Sequence, residues 1–235
     1  VLIVGASPRL GAALAYLLLR EGALVTISAR DKGKLLSIAS DLDRWGRVST
    51  VAGDASNPEG AYQLLQKSFE TMGGLDHLIV SIGGFAHDTL YEPGSMAEML
   101  EKNLIAPINA VSGATPFLHE NSSVVVTSSM SSFWLPRDQF SYALAKAAVN
   151  KAIEEMALFL MDKGIRVNGV APALIEGDFD PSASYKRPKL GTPSSPALYY
   201  ASVVVWLLRD ESWLINGVVI PLDGGFRLKQ VASLE

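Results

Sequence analysis

Short apolar runs alternate with amphipathic stretches along most of the chain. Val1-Leu2-Ile3-Val4 stops at Gly5, as a strand buried on both faces does, and Leu24–Ala29, Val48–Ala52, Leu75–Ser81, Ser123–Thr127, Ile165–Val170 and Gly217–Pro221 repeat the pattern. Between these runs, Ala12–Arg20, Asp31–Asp43, a stretch starting near Pro58, Ser95–His119, Phe140–Lys163 and Ala197–Leu208 carry helical periodicity. The Ser95–His119 stretch is expected to be interrupted at Pro107 and Pro116, because proline lacks the amide hydrogen a helix interior needs. Residues 174–196, rich in Gly, Pro, Ser and charge, show no period, and a loop that long in a compact domain is expected to be a lid or binding segment. After the last run, Asp223-Gly224-Gly225 reads as a turn before a short tail.

Strand and helix alternate without a repeat or a second composition. The pattern predicts one α/β domain over residues 1–235: a doubly wound parallel sheet of about seven strands, covered by helices on both faces. Ligands of such sheets lie beyond the carboxyl ends of the strands.

Composition narrows the function classes. With 235 residues, 49% hydrophobic and 19% charged, the chain can bury one large core. A net charge of −4 argues against a nucleic-acid surface, and no apolar run reaches the roughly 18 residues of a membrane span. The absence of cysteine excludes disulfides and thiolate chemistry, and His77, His87 and His119 have no paired ligand spacing, so no metal site is expected. No charged leader followed by an apolar signal core is seen, which makes the cytoplasm the expected compartment.

The candidate chemistry falls at the predicted strand ends. Gly5-Ala6-Ser7-Pro8-Arg9-Leu10-Gly11 lies between a strand and a helix, where the free amides of a helix N-terminus receive phosphate. Arg30 ends the second strand and Arg9 projects from the turn; two guanidiniums near a ribose 2′-phosphate favour NADPH over NADH. Asp54, after the third strand, is placed either to accept from an adenine amino group or to cap the helix near Pro58. Gly83-Gly84 lets a ligand approach the backbone, and Asn103, alone, reads as structural. Tyr142 and Lys146 are four apart in a predicted helix and so share a face; a cation near a phenol favours the phenolate and lowers its pKa.

Taken together, the glycine turn, Asp54, Asn103, the serine-rich end of the fifth strand, Tyr142 with Lys146, Arg166-Val167-Asn168 with Pro172, and Asp223-Gly224-Gly225 resemble the short-chain dehydrogenase/reductase family, from Val1 to about Phe226. The resemblance implies a Rossmann-type fold and a catalytic set of Asn103, Ser129, Tyr142 and Lys146. In that set Ser129 and Tyr142 hold a substrate carbonyl, Lys146 binds the nicotinamide ribose and tunes Tyr142, and Asn103 supports a water in the proton relay. Ser128, adjacent in an extended segment, is expected to point the other way.

The resemblance further implies cofactor contacts at Gly5, Ser7, Arg9, Leu10, Gly11, Arg30, Asp54, Ala55, Ser81, Gly83, Tyr142, Lys146, Pro172, Ala173 and Ile175. The sequence departs from the family pattern at Arg9, which replaces a glycine, at Val80-Ser81-Ile82-Gly83 in place of Asn-Asn-Ala-Gly, at Ala173 in place of glycine, and at Gly177 in place of threonine.

The expected activity is hydride transfer from NADP(H), with NAD(H) as the second choice, to a small-molecule carbonyl such as a ketone or 3-oxoacyl thioester, and the reverse alcohol oxidation. The other class considered is a non-catalytic dinucleotide-binding sensor or scaffold of the same fold, motivated by the altered Val80–Gly83 and Gly177 positions. No nucleic-acid or membrane partner is expected. The family plan implies a homo-oligomer, a tetramer or dimer, with Ala143, Ala147, Val149 and Phe159 available for helix contact.

Overall fold

The computed structural model describes residues 1–134 and 137–232. Strand β1 (Leu2–Val4) lies at the centre of a parallel sheet, between β2 (Val25–Ala29) and β4 (His77–Val80). β3 (Val48–Ala52) forms one edge, and β5 (Ser123–Thr127), β6 (Arg166–Pro172) and β9 (Val219–Leu222) extend the other side. Among the described residues the sheet has seven strands in the order β3-β2-β1-β4-β5-β6-β9. The chain order reverses beside β1, which opens a crevice at the carboxyl ends of β1 and β4.

Successive residues of each strand face opposite layers, so the continuous apolar runs build two cores. Ile3, Ile27, Ile79 and Val125 pack with Leu14 and Leu18 of α1 (Leu10–Arg20), Leu35 and Ile38 of α2 (Lys32–Leu42), and Tyr200 and Val204 of α7 (Ala197–Leu208). Leu2, Val4, Leu78, Val124 and Val126 pack on the other face with Leu64 and Leu65 of α3 (Pro58–Met72), Ala110 and Val111 of α5 (Ala106–Ala114), and Val149 and Ile153 of α6 (Phe140–Leu160). Val149 is fully buried there, so it cannot serve the outer helix contact expected of it; the expected Ala147 and Phe159 are exposed, together with Leu144 and Leu158.

Three expectations are corrected. The chain does not break at Pro107: α4 (Met96–Leu100) passes through a π-helical turn, Glu101–Ile105, directly into α5. In a regular helix the Asn103 carbonyl would take its hydrogen from residue 107, a proline with none, and the wider turn falls where that bond is missing. The segment expected to lack regular structure has ordered ends, since β7 (Leu174–Glu176) pairs in parallel with β8 (Ser194–Pro196); three-residue strands are too short to register as a period. The tail carries a helix, α8 (Phe226–Ala232), whose Phe226 stacks on Trp134 at 4.9 Å.

The part of the chain between β7 and β8 is also fastened at its start. The Phe179 amide donates to the Pro8 carbonyl at 3.0 Å, and its ring lies between Tyr16 and Tyr185, at 5.2 and 5.6 Å. Tyr16 in turn meets Trp45 edge-on at 5.3 Å.

Candidate active site

The carboxyl ends of β1, β2, β4, β5 and β6 open into a cleft of about 770 Å³. At its floor, Gly5 has φ +86°, and a Cβ there would stand 2.6 Å from the Ile82 amide nitrogen, so only glycine fits. The turn is fixed by two amides, Gly5 and Ala6, which both donate to the Ser28 carbonyl at 2.8 and 2.9 Å. Ser7, Arg9 and Leu10 line the cleft above it. Gly11 does not: it is buried, and a Cβ there would lie 2.7 Å from the Ala6 Cα, so its role is to let α1 approach the turn.

Arg30 and Asp54, at the ends of β2 and β3, line the same cleft with Ala55. Asp54 is not the helix cap. Asn57 caps α3 by accepting from the Gly60 amide at 2.9 Å, while Asp54 accepts from the Ser56 amide at 3.0 Å. Ser81, Gly83, Pro172, Ala173 and Ile175 complete the lining on the β4 and β6 side. Gly83 is crowded: a Cβ would sit 2.8 Å from the Asn103 Oδ1 and 3.5 Å from the Lys146 Nζ.

Asn103, buried in the π turn, clasps this corner. Its Oδ1 accepts from the Gly84 amide at 3.2 Å, and its Nδ2 donates to the carbonyls of Gly84 and Met99, both at 3.1 Å. Both ends of the side-chain amide are thus engaged with the protein, holding the backbone after β4 against α4.

Helix α6 brings Tyr142 and Lys146 onto the cleft. Its cap residue, Gln139, gives no side-chain hydrogen bond to the amides of the helix start; the carboxylate of Asp88, distant in sequence, accepts instead from the amide of Ser141 at 2.9 Å and from its hydroxyl. Those bonds hold the Asp88 carboxyl below its ordinary range. Lys146 is 3% exposed and donates to the Thr127 carbonyl at 3.1 Å. Burial lowers its pKa from 10.5 to about 8. The Lys146 Nζ lies 5.9 Å from the centre of the Tyr142 ring.

Burial also raises the pKa of Tyr142, and the neighbouring Ser129 side chain opposes that rise without reversing it. The lowering expected from a neighbouring cation is not among the causes of the Tyr142 shift, and Lys146 spends its contact on the Thr127 carbonyl. Tyr142 stands as a neutral hydrogen-bond donor.

Ser129 and Ser128 face opposite ways, as the extended backbone of a strand end requires. Ser129 is near enough to Tyr142 to lower its pKa, whereas the Ser128 hydroxyl donates to the Asn150 Oδ1 on α6. Arg166 and Asn168 stay out of the cleft. The Arg166 guanidinium donates to the Leu207 carbonyl at 2.9 Å, and the Asn168 Nδ2 donates to the Ile215 carbonyl at 2.7 Å, which anchors the approach to β9.

Among the cleft residues that the sequence reading did not assign to the site are Phe85, Met130, Ser131 and Gln139. Phe85 is 52% exposed and meets the Tyr142 ring edge-on at 5.0 Å. Its position directly after Gly83-Gly84 was the available signal. Gln139, three residues before Tyr142, accepts from the Ser131 hydroxyl at 2.8 Å.

Residues 5–227 match the family model described as enoyl-(acyl carrier protein) reductase. With the parallel sheet and cleft described above, the match shows that the chain belongs to the short-chain dehydrogenase/reductase family of oxidoreductases. It is 29% identical over 178 residues to an uncharacterized oxidoreductase of Staphylococcus aureus, covering 74% of this chain and 77% of that one. It is 27% identical over 248 residues to the glucose 1-dehydrogenase of Gluconobacter oxydans, covering 97% and 91%. Among solved structures, a dehydrogenase/reductase from Sinorhizobium meliloti superposes with a TM-score of 0.85 at 26% identity over 95% and 93% of the two chains. A short chain dehydrogenase from Burkholderia cenocepacia in complex with NADP superposes with a TM-score of 0.84 at 26% identity, over 96% of each. Among the described residues no helix is long and apolar enough to cross a membrane.

Proposed function

We propose that this oxidoreductase is a carbonyl reductase that uses NADPH in preference to NADH, reducing a ketone or 3-oxoacyl-type substrate reversibly to the alcohol. The observation that carries the reading is the convergence of Ser129, Tyr142 and Lys146 on one cleft. The cleft suits a dinucleotide: Gly5 and Gly83 leave room at its floor that a Cβ would fill, and the start of α1 faces it with Ser7, Arg9 and Leu10. In this reading Arg9 and Arg30 take the ribose phosphate, Asp54 and Ala55 the adenine side, Ser81 and Gly83 the ribose, and Pro172, Ala173 and Ile175 the nicotinamide end. NADPH, when bound, supplies the hydride.

The chain's own residues do the rest. Ser129 and Tyr142 donate to the substrate oxygen, where negative charge grows as its carbon is reduced, and donors already aimed there stabilise that charge. A Tyr142 that stays protonated across the neutral range is ready to give its proton to the nascent alkoxide as general acid. Lys146, with a pKa of about 8, lies on the same helix face and can pass charge or a proton toward the phenol once a ribose hydroxyl competes for its bond to Thr127. Asn103 holds the floor of the cleft at Gly84, which leaves a water-supporting role to be sought at its backbone rather than its committed amide. Residues 174–196 act as a lid over the cleft, and the exposed Leu144, Leu158 and Phe159 of α6 serve a homo-oligomer contact in the cytoplasm.

The test is NADPH oxidation against a panel of ketones and 3-oxoacyl thioesters, run beside Tyr142→Phe. Turnover is expected in the wild type, with kcat falling about 10²- to 10⁴-fold in the variant while NADPH binding persists. NADPH binding with no turnover on any carbonyl would instead favour a dinucleotide sensor, and equal kcat in both proteins would remove Tyr142 as the acid.

A further inference from the structure

A polar side chain bonded to the serines beside the site has no part in the chemistry above. Asn150 lies on α6 four residues beyond Lys146 and eight beyond Tyr142, and so on the same helix face. Its amide bridges two hydroxyls of the neighbouring strand end. The Oδ1 accepts from the Ser128 hydroxyl, and the Nδ2 donates to the Ser132 hydroxyl at 2.8 Å. Ser132, its oxygen occupied as an acceptor, donates its own proton to the Ser129 carbonyl at 2.6 Å. Ser128 is fixed from the other side as well, its amide donating to the Val170 carbonyl of β6 at 2.8 Å.

The bonds run in one direction, Ser128 to Asn150 to Ser132 to the backbone of Ser129. An amide suits the middle place because it accepts at one end and donates at the other. The chain of bonds brackets Ser129 on both sides and ties it to the helix that carries Tyr142.

We propose that Asn150 is a positioning residue that holds the Ser129 hydroxyl in register with the Tyr142 phenol. This rests on the carbonyl-reductase reading of the same site. The need for such a tie is visible at Ser129 itself, whose hydroxyl has a competing local partner: its Oγ accepts from the Ser131 amide at 3.2 Å and lies 3.3 Å from the Ser131 Oγ. Those contacts belong to a 3₁₀ turn, Met130–Ser132, and compete with the phenol for the hydroxyl. With the tie to α6 cut, the Ser131 contacts are expected to win.

The experiment compares Asn150→Leu, similar in size without hydrogen bonds, and Ser132→Ala with Ser129→Ala and the wild type. Two readouts are used. The first is steady-state kinetics with a carbonyl from the panel: kcat is expected to fall about 10- to 100-fold in Asn150→Leu and Ser132→Ala, with the NADPH dissociation constant changed less than about twofold. The second needs no substrate. Ultraviolet titration of the Tyr142 phenol, taken as the difference between each protein and its Tyr142→Phe counterpart, is expected to move upward in both variants, as it is in Ser129→Ala, because Ser129 favours the phenolate.

Since the bonds form one chain, combining Asn150→Leu with Ser132→Ala is expected to cost little beyond the worse single change. The proposal is overturned if both variants titrate and turn over like the wild type while Ser129→Ala does not. It is equally overturned if Asn150→Leu fails to fold while Ser132→Ala behaves as wild type, for the contact would then serve stability alone. Absence of turnover in the wild type would count against the carbonyl-reductase reading, and the titration would still decide the role of Asn150.

Discussion

Lys146 offers a measurement of how much a buried cation costs this fold. The side chain is 3% exposed, donates to the Thr127 carbonyl, and has its pKa lowered by burial from 10.5 to about 8. Below about pH 8 the lysine is charged in both the folded and unfolded states, and the full cost of burying that charge is present. As pH rises from about 8 toward 10.5, the folded protein releases its proton while the unfolded chain keeps it, so stability rises with pH.

Linkage over that shift gives a gain of about 2 kcal/mol between about pH 7 and pH 9.5, out of roughly 3 for the whole window. Higher pH is unsuitable, because burial raises the pKa of Tyr142 and Tyr200, and folded states that retain phenol protons lose stability as the unfolded chain ionises. The assay is urea unfolding of wild type and Lys146→Met at several pH values across this range. Methionine keeps the length of the chain without the charge, so the variant lacks the gain, and the stability difference between the two proteins should shift by about 2 kcal/mol in favour of the wild type. A difference that stays constant with pH would refute the claim that Lys146 is buried as a destabilised cation, whatever its size at neutral pH.

Other predictions are more local. Arg30→Asp should weaken NADPH about 10- to 100-fold, as loss of a charge-assisted phosphate contact implies, and leave NADH nearly unaffected; fluorescence titration with both cofactors checks it, and equal loss for both would contradict a phosphate contact. Gly83→Ala places a Cβ 2.8 Å from an Asn103 oxygen that already accepts from the Gly84 amide, so unfolding measurements should show a loss of about 1 to 3 kcal/mol. Wild-type stability in that variant would mean that the Asn103 clasp yields freely.

The layout of the fold was legible because each strand is a short apolar run with a breaker at its end, and burial on both faces leaves no other reading for Val1–Val4 or Ser123–Thr127. The same alternation put Gly5, Arg30, Asp54, Ser129 and Tyr142 beside one crevice, since strand ends in a parallel sheet lie together. What the sequence concealed depends on contacts between distant residues. Asp88 caps a helix that starts at Phe140, and nothing near either residue announces the bond. Asp54 looked like a cap by its distance from Pro58, but Asn57 stood closer and won.

Gly11 shows a subtler limit. A glycine at that place is demanded equally by a ligand approaching the backbone and by a helix packing on its own turn, and only coordinates separate the two. The phenol's acidity was misjudged for a related reason. Charge proximity can be read from an i, i+4 spacing, but the opposing cost of desolvation depends on how many atoms the rest of the chain packs around the ring.

The parallel pairing of β7 with β8 carries a consequence for diversification. Residues 174–176 and 194–196 lie side by side, so the stretch between them leaves and re-enters the body at a single doorway, touching the glycine turn through Phe179. Lengthening such an excursion is cheap, since doubling a loop adds only about 0.6 kcal/mol of closure entropy. Under the lid role proposed for it, the excursion is the part that can be exchanged like a cartridge without disturbing the sheet, provided the aromatic peg at Phe179 is retained.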